Sequence, residues 1–114
     1  MHDRIPRINQ LLKKEIGDII LKEIGFEGAL ITVTRVETSP KLNDANIYIS
    51  AIPDEKIENV FKVLNRNLYH IQKMINRRLR IRPVPKLRFV RENLTREAGK
   101  IEEILEEIKE EERS

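Results

Sequence analysis

The stretch 79–90 reads LRIRPVPKLRFV and joins the end of a predicted helix to the beginning of a predicted strand. Its two prolines lack a backbone N–H donor, so they end the helix before them and favour a strand over residues 84–90. The alternation from Lys86 to Phe89 then places basic residues on one face of that strand and apolar residues on the other.

Upstream of this stretch, residues 57–79 form a long predicted helix with two different faces. On one side, apolar residues recur at three- and four-residue spacing: Ile57, Val60, Phe61, Leu64, Leu68, Ile71, Ile75 and Leu79. On the opposite side, Arg66, His70, Lys73 and Arg77 follow the spacing i, i+4, i+7, i+11. We therefore expect a helix that is buried along one face and cationic along the other.

The first half of the chain predicts a helix followed by two strands. Residues 4–24 form an amphipathic helix that Asp3 is suited to cap and that glycines end, while Gly17 in its middle indicates a close helix crossing. Residues 30–38 and 45–52 are β-branched and alternating, and turn residues join them, so they predict an antiparallel pair. After the second strand, Asp54 is suited to cap the long helix.

A last helix is predicted over residues 95–112, and its acidic end should fray because like charges one turn apart repel. The predicted order is therefore α-β-β-α-β-α. This order indicates an α+β fold in one domain, in which three strands and the packed helices form one layer pair.

The charge of the chain is concentrated in one segment. Nine basic and no acidic side chains lie between Arg66 and Arg91, although the net charge of the whole chain is only +3. A solvated helix face usually mixes charges of both signs, so this block predicts a polyanionic partner, with nucleic acid favoured. A membrane surface fits less well, because the opposite face of the helix is needed for the core. Tyr69 lies beside the stripe and is suited either to stacking on a base or to packing.

Residues for catalysis or metal binding are scarce. The chain has no cysteine, and its histidines are His2 and His70. We expect His2 to lie at a mobile terminus, and His70 has no carboxylate three or four residues away to orient it. No Cys/His cluster has metal-ligand spacing, and the four glycines form no phosphate-binding loop. We therefore expect no enzyme activity, no metal and no cofactor. No secretory segment or membrane span is expected, which favours a cytoplasmic location.

Several segments together resemble the ribosome-binding factor A family, whose fold is a type II K-homology (KH) domain. The resemblance covers about residues 4–105 and is carried by ITVTRVE at 31–37, by SPKL at 39–42, by ANIYI at 45–49 and above all by residues 79–90. The last of these is similar to the family segment R-L-R-x-V-P-x-L-x-F. The resemblance implies a KH-like RNA-binding domain over residues 1–94, followed by a C-terminal helix over 95–114. In this fold a three-stranded mixed sheet is packed by helices on one face, and two of the helices form a kinked pair.

Two departures from the family pattern concern the kink and a turn. The family typically has Ala-x-Gly at the interhelical kink, where this chain has Asn67-Leu68-Tyr69. Without the glycine, either the helix bends less or Asn67 supplies the irregularity. The family's Ser-x-Asp-Leu becomes Ser39-Pro40-Lys41-Leu42, which replaces an acid with a base.

The resemblance also implies a function. Members of this family bind the immature small ribosomal subunit and its rRNA, assist late maturation of the rRNA 5′ end, act alongside assembly GTPases and are linked to growth in the cold. We expect a monomer that is not an enzyme. The residues predicted to bind RNA are Arg4, Arg7, Arg66, Lys73, Arg77, Arg78, Arg80, Arg82, Lys86 and Arg88. The alternatives are a generic RNA-binding KH-like module, or an interaction module that docks an acidic protein or the chain's own acidic segment 102–112.

Overall fold

The computed structural model describes residues 4–92, which form three helices and one three-stranded sheet. In chain order the elements are α1 (Arg4–Ile19, continued by a π-helical turn at Ile20–Ile24), β1 (Leu30–Thr38), β2 (Asp44–Ile52), a 3₁₀ turn (Asp54–Lys56), α2 (Ile57–Arg66), α3 (Leu68–Arg78) and β3 (Lys86–Arg91). The predicted α+β class is confirmed. Asp3 and the predicted helix 95–112 lie outside the described residues.

The sheet is mixed, as predicted, with the strand order β1-β2-β3. β1 and β2 are antiparallel, with Leu30 opposite Ile52 and Thr38 opposite Ala45, and a bulge lies between Val33 and Arg35. β2 and β3 are parallel, so the chain must cross over between them, and α2 and α3 form that crossover. This connection places α3 directly before the edge strand β3.

The turn between β1 and β2 depends on the side chain of Ser39. Its Oγ accepts hydrogen bonds from the backbone N–H groups of Asn43 and Asp44, both at 3.1 Å. The Ser39 N–H also donates to the Asp44 carbonyl across the hairpin at 2.8 Å. The turn predicted over residues 39–44 is confirmed, and it fixes the register of the two strands.

Alternation along the strands places the core on one face of the sheet, where the helices pack. The side chains with no measurable exposure come from every helix and from β2: Leu12, Ile16, Ile19, Ala45, Ile47, Ile49, Val60, Leu64, Ile71 and Ile75. The apolar stripes predicted for the first and the long helix therefore do form the core. Burying each large aliphatic side chain contributes about 1.5–3 kcal/mol.

Three local predictions are wrong. A Cβ atom added to Gly17 would meet nothing within 4 Å, so this glycine does not lie at a close helix crossing. Asp54 makes no helix cap, because its carboxylate pairs instead with Arg91 at 2.8 Å. β3 begins at Lys86 rather than at residue 84, since Pro85 has no N–H to donate to a neighbouring strand.

Candidate nucleic-acid interface

Because successive residues of an α-helix are rotated by 100°, the side chains of α3 face four different surroundings: the core, the solvent, α1 and β3. Ile71 and Ile75 are fully buried against the core. The opposite side is exposed to solvent, and we refer to it as the α3 solvent face: Tyr69, His70, Lys73 and Arg77. Of the remaining side chains, Arg78 reaches α1 and Gln72 reaches β3. The predicted separation of a buried face and a cationic face is confirmed for this helix.

The break between α2 and α3 lies at Asn67, directly after the exposed Arg66 at the end of α2. The Asn67 backbone, at φ −100° and ψ 7°, leaves the helical region, while its N–H still donates to the carbonyls of Val63 and Leu64, both at 3.1 Å. The side-chain Nδ2 donates a further hydrogen bond to the Val63 carbonyl at 2.8 Å. Of the two alternatives for the kink, Asn67 therefore supplies the irregularity in place of the family's glycine. Its side-chain amide satisfies a backbone carbonyl at the end of α2.

Arg78 is held by acidic residues of α1 and is not part of the α3 solvent face. Its Nη1 donates to Glu15 at 2.9 Å and to Asp18 at 3.0 Å, and its side chain is only 29% exposed. The hydrogen bond from Arg78 lowers the pKa of the Asp18 carboxyl, against the opposing effect of burial. The same contacts, led by the one to Glu15, raise the pKa of Arg78. Arg78 thus attaches α3 to α1.

The two arginines that follow α3 differ in their surroundings. Arg82 folds back, and its Nη1 donates to the carbonyl oxygens of Leu79 at 3.0 Å and of Ile81 at 2.6 Å. A cation at this position satisfies carbonyls beyond the end of a helix. Arg80 is exposed, and within residues 4–92 it has no ion-pair partner. Arg80 is therefore an exposed cation directly after α3, whereas Arg82 bonds to backbone carbonyls of the turn.

A groove separates α3 from the beginning of β3, and Gln72 spans it. The side-chain Oε1 of Gln72 accepts the Leu87 N–H at 2.9 Å, and its Nε2 donates to the Pro85 carbonyl at 3.1 Å. The carboxamide thus occupies backbone groups on the free edge of β3, where a further strand would otherwise bind. The α3–β3 groove has a volume of about 430 Å³ and is lined by Asn43, Asp44, Gln72, Asn76, Val84 and Lys86.

Gln72, Asn76 and Asn43 were not among the residues predicted to bind RNA. They are uncharged, so a search for basic residues passes over them. The available signal was the position of Gln72 and Asn76 four residues apart on α3, between its apolar and its cationic stripe. The side of a helix between its buried and its exposed stripe faces the neighbouring element of the fold.

The outer face of the sheet carries charges of both signs. Lys86 and Arg88 lie there as predicted, but they are aligned with Asp44 and Asn46 of β2, and Glu37 lies on β1 beyond Asn46. Lys86 also lines the α3–β3 groove, so it is shared between the two surfaces. The basic block of the sequence is thus divided between α3, the turn after it and the outer face of the sheet. Among the described residues, Lys73 and Arg77 of the α3 solvent face have no carboxylate partner, whereas Arg78 on the same helix has two.

Arg35 and Tyr48 form a separate cluster on this outer face. The Arg35 guanidinium lies 3.7 Å from the centroid of the Tyr48 ring, and its Nε donates to Glu92 at 2.9 Å. Burial raises the pKa of Tyr48, and so does its hydrogen bond to Glu37. Because the guanidinium covers the tyrosine ring, that ring is not open to a ligand on this side.

The two basic residues predicted on the first helix, Arg4 and Arg7, are exposed near the beginning of α1. They lie on a different helix from Lys73 and Arg77. Among residues 4–92 no acidic side chain pairs with either arginine. Their role in RNA binding stays a prediction.

The described part of the chain contains no group of three or more His, Cys, Asp or Glu side chains placed to hold a metal ion. Across the same residues, no helix has the length and apolar character needed to cross a membrane. The α3 solvent face and the α3–β3 groove present exposed guanidinium, ammonium, amide and aromatic groups. These groups suit the binding of phosphates and bases.

Comparison with known proteins gives consistent results. Residues 4–105 match the family described as Ribosome-binding factor A. The ribosome-binding factor A of Halothermothrix orenii is 37% identical, over 97% of this chain and 93% of its own length. The crystal structure of ribosome-binding factor A from Thermus thermophilus has a TM-score of 0.64 at 24% identity, covering 76% of this chain and 94% of that chain. A homology model of the Thermus thermophilus protein, fitted into a cryo-electron microscopy map of a 30S–RbfA complex, has a TM-score of 0.61 at 25% identity, covering 75% of this chain and 92% of that chain.

Proposed function

The chain belongs to the ribosome-binding factor A family, and we propose that it binds the small ribosomal subunit through its rRNA. The relative fitted into the map of a 30S–RbfA complex supports this partner. Within this role, the protein assists late maturation of the subunit, including processing of the rRNA 5′ end. It acts in the cytoplasm as a monomer, alongside assembly GTPases, and supports growth in the cold.

The observation that carries this proposal is the α3 solvent face. Lys73 and Arg77 are exposed there, Arg80 follows, and none of the three has a carboxylate partner among residues 4–92. Guanidinium groups bind phosphates with two parallel hydrogen bonds, which makes arginine well suited to an RNA backbone. The sequence-independent part of the binding is then electrostatic and should weaken as salt rises.

RNA recognition by this surface requires more than charge. The α3–β3 groove presents the amides of Asn43 and Asn76 beside Lys86, while the Gln72 amide is bonded to the backbone of β3. Amide side chains donate and accept hydrogen bonds at the same time, as do the edges of bases and the 2′-hydroxyls of RNA. The proposed binding surface therefore combines phosphate contacts from α3 with polar contacts from the groove.

A charge-reversal experiment tests this assignment. The double variant Arg77→Glu/Arg80→Glu should lose most of its binding to immature small subunits in a sedimentation assay, while its circular dichroism and thermal unfolding stay close to those of the wild type. The control Lys41→Glu/Lys62→Glu changes the net charge by the same amount at exposed positions of the hairpin turn and α2.

Three outcomes would count against the proposal. Equal loss of binding in both double variants would mean that only net charge matters. Unchanged binding in both double variants would mean that the cationic face binds another partner, such as an acidic protein. Unfolding of the Arg77→Glu/Arg80→Glu variant would show that these side chains are structural.

A further inference from the structure

Tyr69 has an exposed ring that the fold does not use. It lies in the first turn of α3, and 79% of its surface is open to solvent. The other aromatic side chains of residues 4–92 are engaged. Phe89 is buried, Phe26 and Phe61 pack against the core, and the Tyr48 ring lies under Arg35. A tyrosine ring combines a large apolar face with a polar hydroxyl, which suits it to contacts with a partner.

The position of Tyr69 on α3 connects the two parts of the candidate interface. At 100° per residue, Tyr69 lies between Asn76, which lines the α3–β3 groove, and Lys73, which belongs to the α3 solvent face. The Lys73 ammonium lies 5.8 Å from the centroid of the ring, within the range of a cation–π contact. The ring therefore lies on the side of α3 between the groove-lining residues and the cations, about two helical turns before Asn76.

This arrangement matches the requirements of a single-stranded nucleic acid. Unpaired bases stack on aromatic side chains, while their phosphates follow a positively charged surface. Bases in a duplex already stack on one another and offer no free face. We propose that Tyr69 is a stacking platform for an unpaired RNA base whose neighbouring phosphates lie along Lys73 and Arg77. This inference rests on the proposed function and narrows it to single-stranded RNA.

The first test compares Tyr69→Ala and Tyr69→Phe in the full chain. The probes are a 12-nucleotide single-stranded RNA of mixed sequence and a blunt duplex that contains it, titrated by fluorescence anisotropy at several salt concentrations. Loss of the ring should weaken single-strand binding about tenfold. Phenylalanine should stay within about twofold of the wild type, because it keeps the aromatic face. Duplex binding should not change in either variant.

The salt dependence separates stacking from charge. Tyr69→Ala should leave the slope of log K against log salt unchanged, because every phosphate contact is kept. Lys73→Gln should reduce that slope by about 0.7 on single-stranded RNA. If Lys73→Gln weakens binding while Tyr69→Ala does not, the stacking inference is wrong and the proposed function stands. If the wild type shows no salt-dependent RNA binding at all, the proposed function is wrong.

A fluorescence experiment then reports the contact directly. The chain contains no tryptophan, so Tyr69→Trp introduces a single reporter at this position. The matched control is Leu21→Trp, since Leu21 is similarly exposed, at 77%, on the first helix of the fold. Single-stranded RNA should quench the tryptophan at position 69 and not the one at position 21. Equal quenching at both positions, or none at either, would overturn the inference.

Discussion

Arg77 and Arg78 are adjacent on α3, and the structure gives them different roles. Arg77 belongs to the α3 solvent face, whereas Arg78 pairs with Glu15 at 2.9 Å and with Asp18 at 3.0 Å. Replacing either arginine with glutamine removes one positive charge from the same turn of the same helix. We predict that Arg77→Gln weakens RNA binding and that Arg78→Gln does not.

The magnitude follows from how many phosphates each variant still neutralises. Each neutralised phosphate contributes about 0.7 to the salt slope on single-stranded RNA, and about 0.9 on a duplex. Arg77→Gln should flatten the slope by one such step, while Arg78→Gln should leave it unchanged. When the salt is raised from about 50 to about 200 mM, a variant that contacts one phosphate fewer should lose roughly threefold less affinity than the wild type.

The assay is a salt titration of binding to an rRNA fragment by fluorescence anisotropy, with the urea unfolding midpoint measured for each variant. Arg78→Gln should unfold at lower urea than the wild type, because α3 loses its ion pairs with α1. Arg77→Gln should unfold at the same urea concentration as the wild type. An equal change of salt slope in the two variants would refute the assignment of roles, since it would mean that net charge alone determines binding.

Three further predictions concern stability. Gly17→Ala should stabilise the protein by about 0.5–1 kcal/mol in urea unfolding, since an added Cβ meets open space within a helix; a loss of stability would contradict the open surroundings of this residue. Gln72→Glu should destabilise it by about 1–3 kcal/mol at neutral pH, because the Pro85 carbonyl loses its donor and faces a carboxylate; an unchanged unfolding midpoint would mean that the groove contact is not formed. The pKa of Asp18 is depressed by Arg78 below its ordinary value of 3.8, so their contact stabilises the fold above about pH 4 and is lost as the pH falls further. The urea midpoint of Asp18→Asn should therefore fall less between about pH 5 and pH 2 than that of the wild type, and parallel curves would contradict the contact.

Much of this fold follows from periodicity in the sequence. The bounds of β1 agree with the prediction, and those of β2 differ by one residue at its beginning, because β-branched alternation ends abruptly at turn residues. The burial of Ile71 and Ile75 follows from the apolar stripe of the long helix. These features depend on local geometry, which the sequence records directly.

The pairing of charged side chains could not be predicted in the same way. Arg77 and Arg78 look alike in the basic block, and only the packing of α3 against α1 brings Arg78 to Glu15, 63 residues earlier in the chain. Asp54 likewise pairs with Arg91, 37 residues away, instead of capping a helix. A long-range ion pair depends on tertiary packing, for which a single sequence contains no local signal.

The same limit applies to Gln72 and to Gly17. The hydrogen bonds of Gln72 to Pro85 and Leu87 depend on the crossover placing α3 beside β3, so its polar character alone does not identify the groove. The space around Gly17 depends on how closely the neighbouring elements pack against α1, and an added Cβ would meet no atom within 4 Å. The break at Asn67, by contrast, was one of two alternatives that the sequence predicted, because the glycine typical of the family's kink is absent.

Photocrosslinking reports whether the α3 solvent face contacts the rRNA of the small subunit, as we propose. A photoreactive amino acid is placed at Lys73 or, as a control, at Thr32 on the exposed outer face of the sheet. Sequencing of RNA crosslinked in immature small subunits should give defined rRNA sites from position 73 and none from position 32. Crosslinks to ribosomal proteins alone from position 73, or the same rRNA sites from both positions, would contradict the claim.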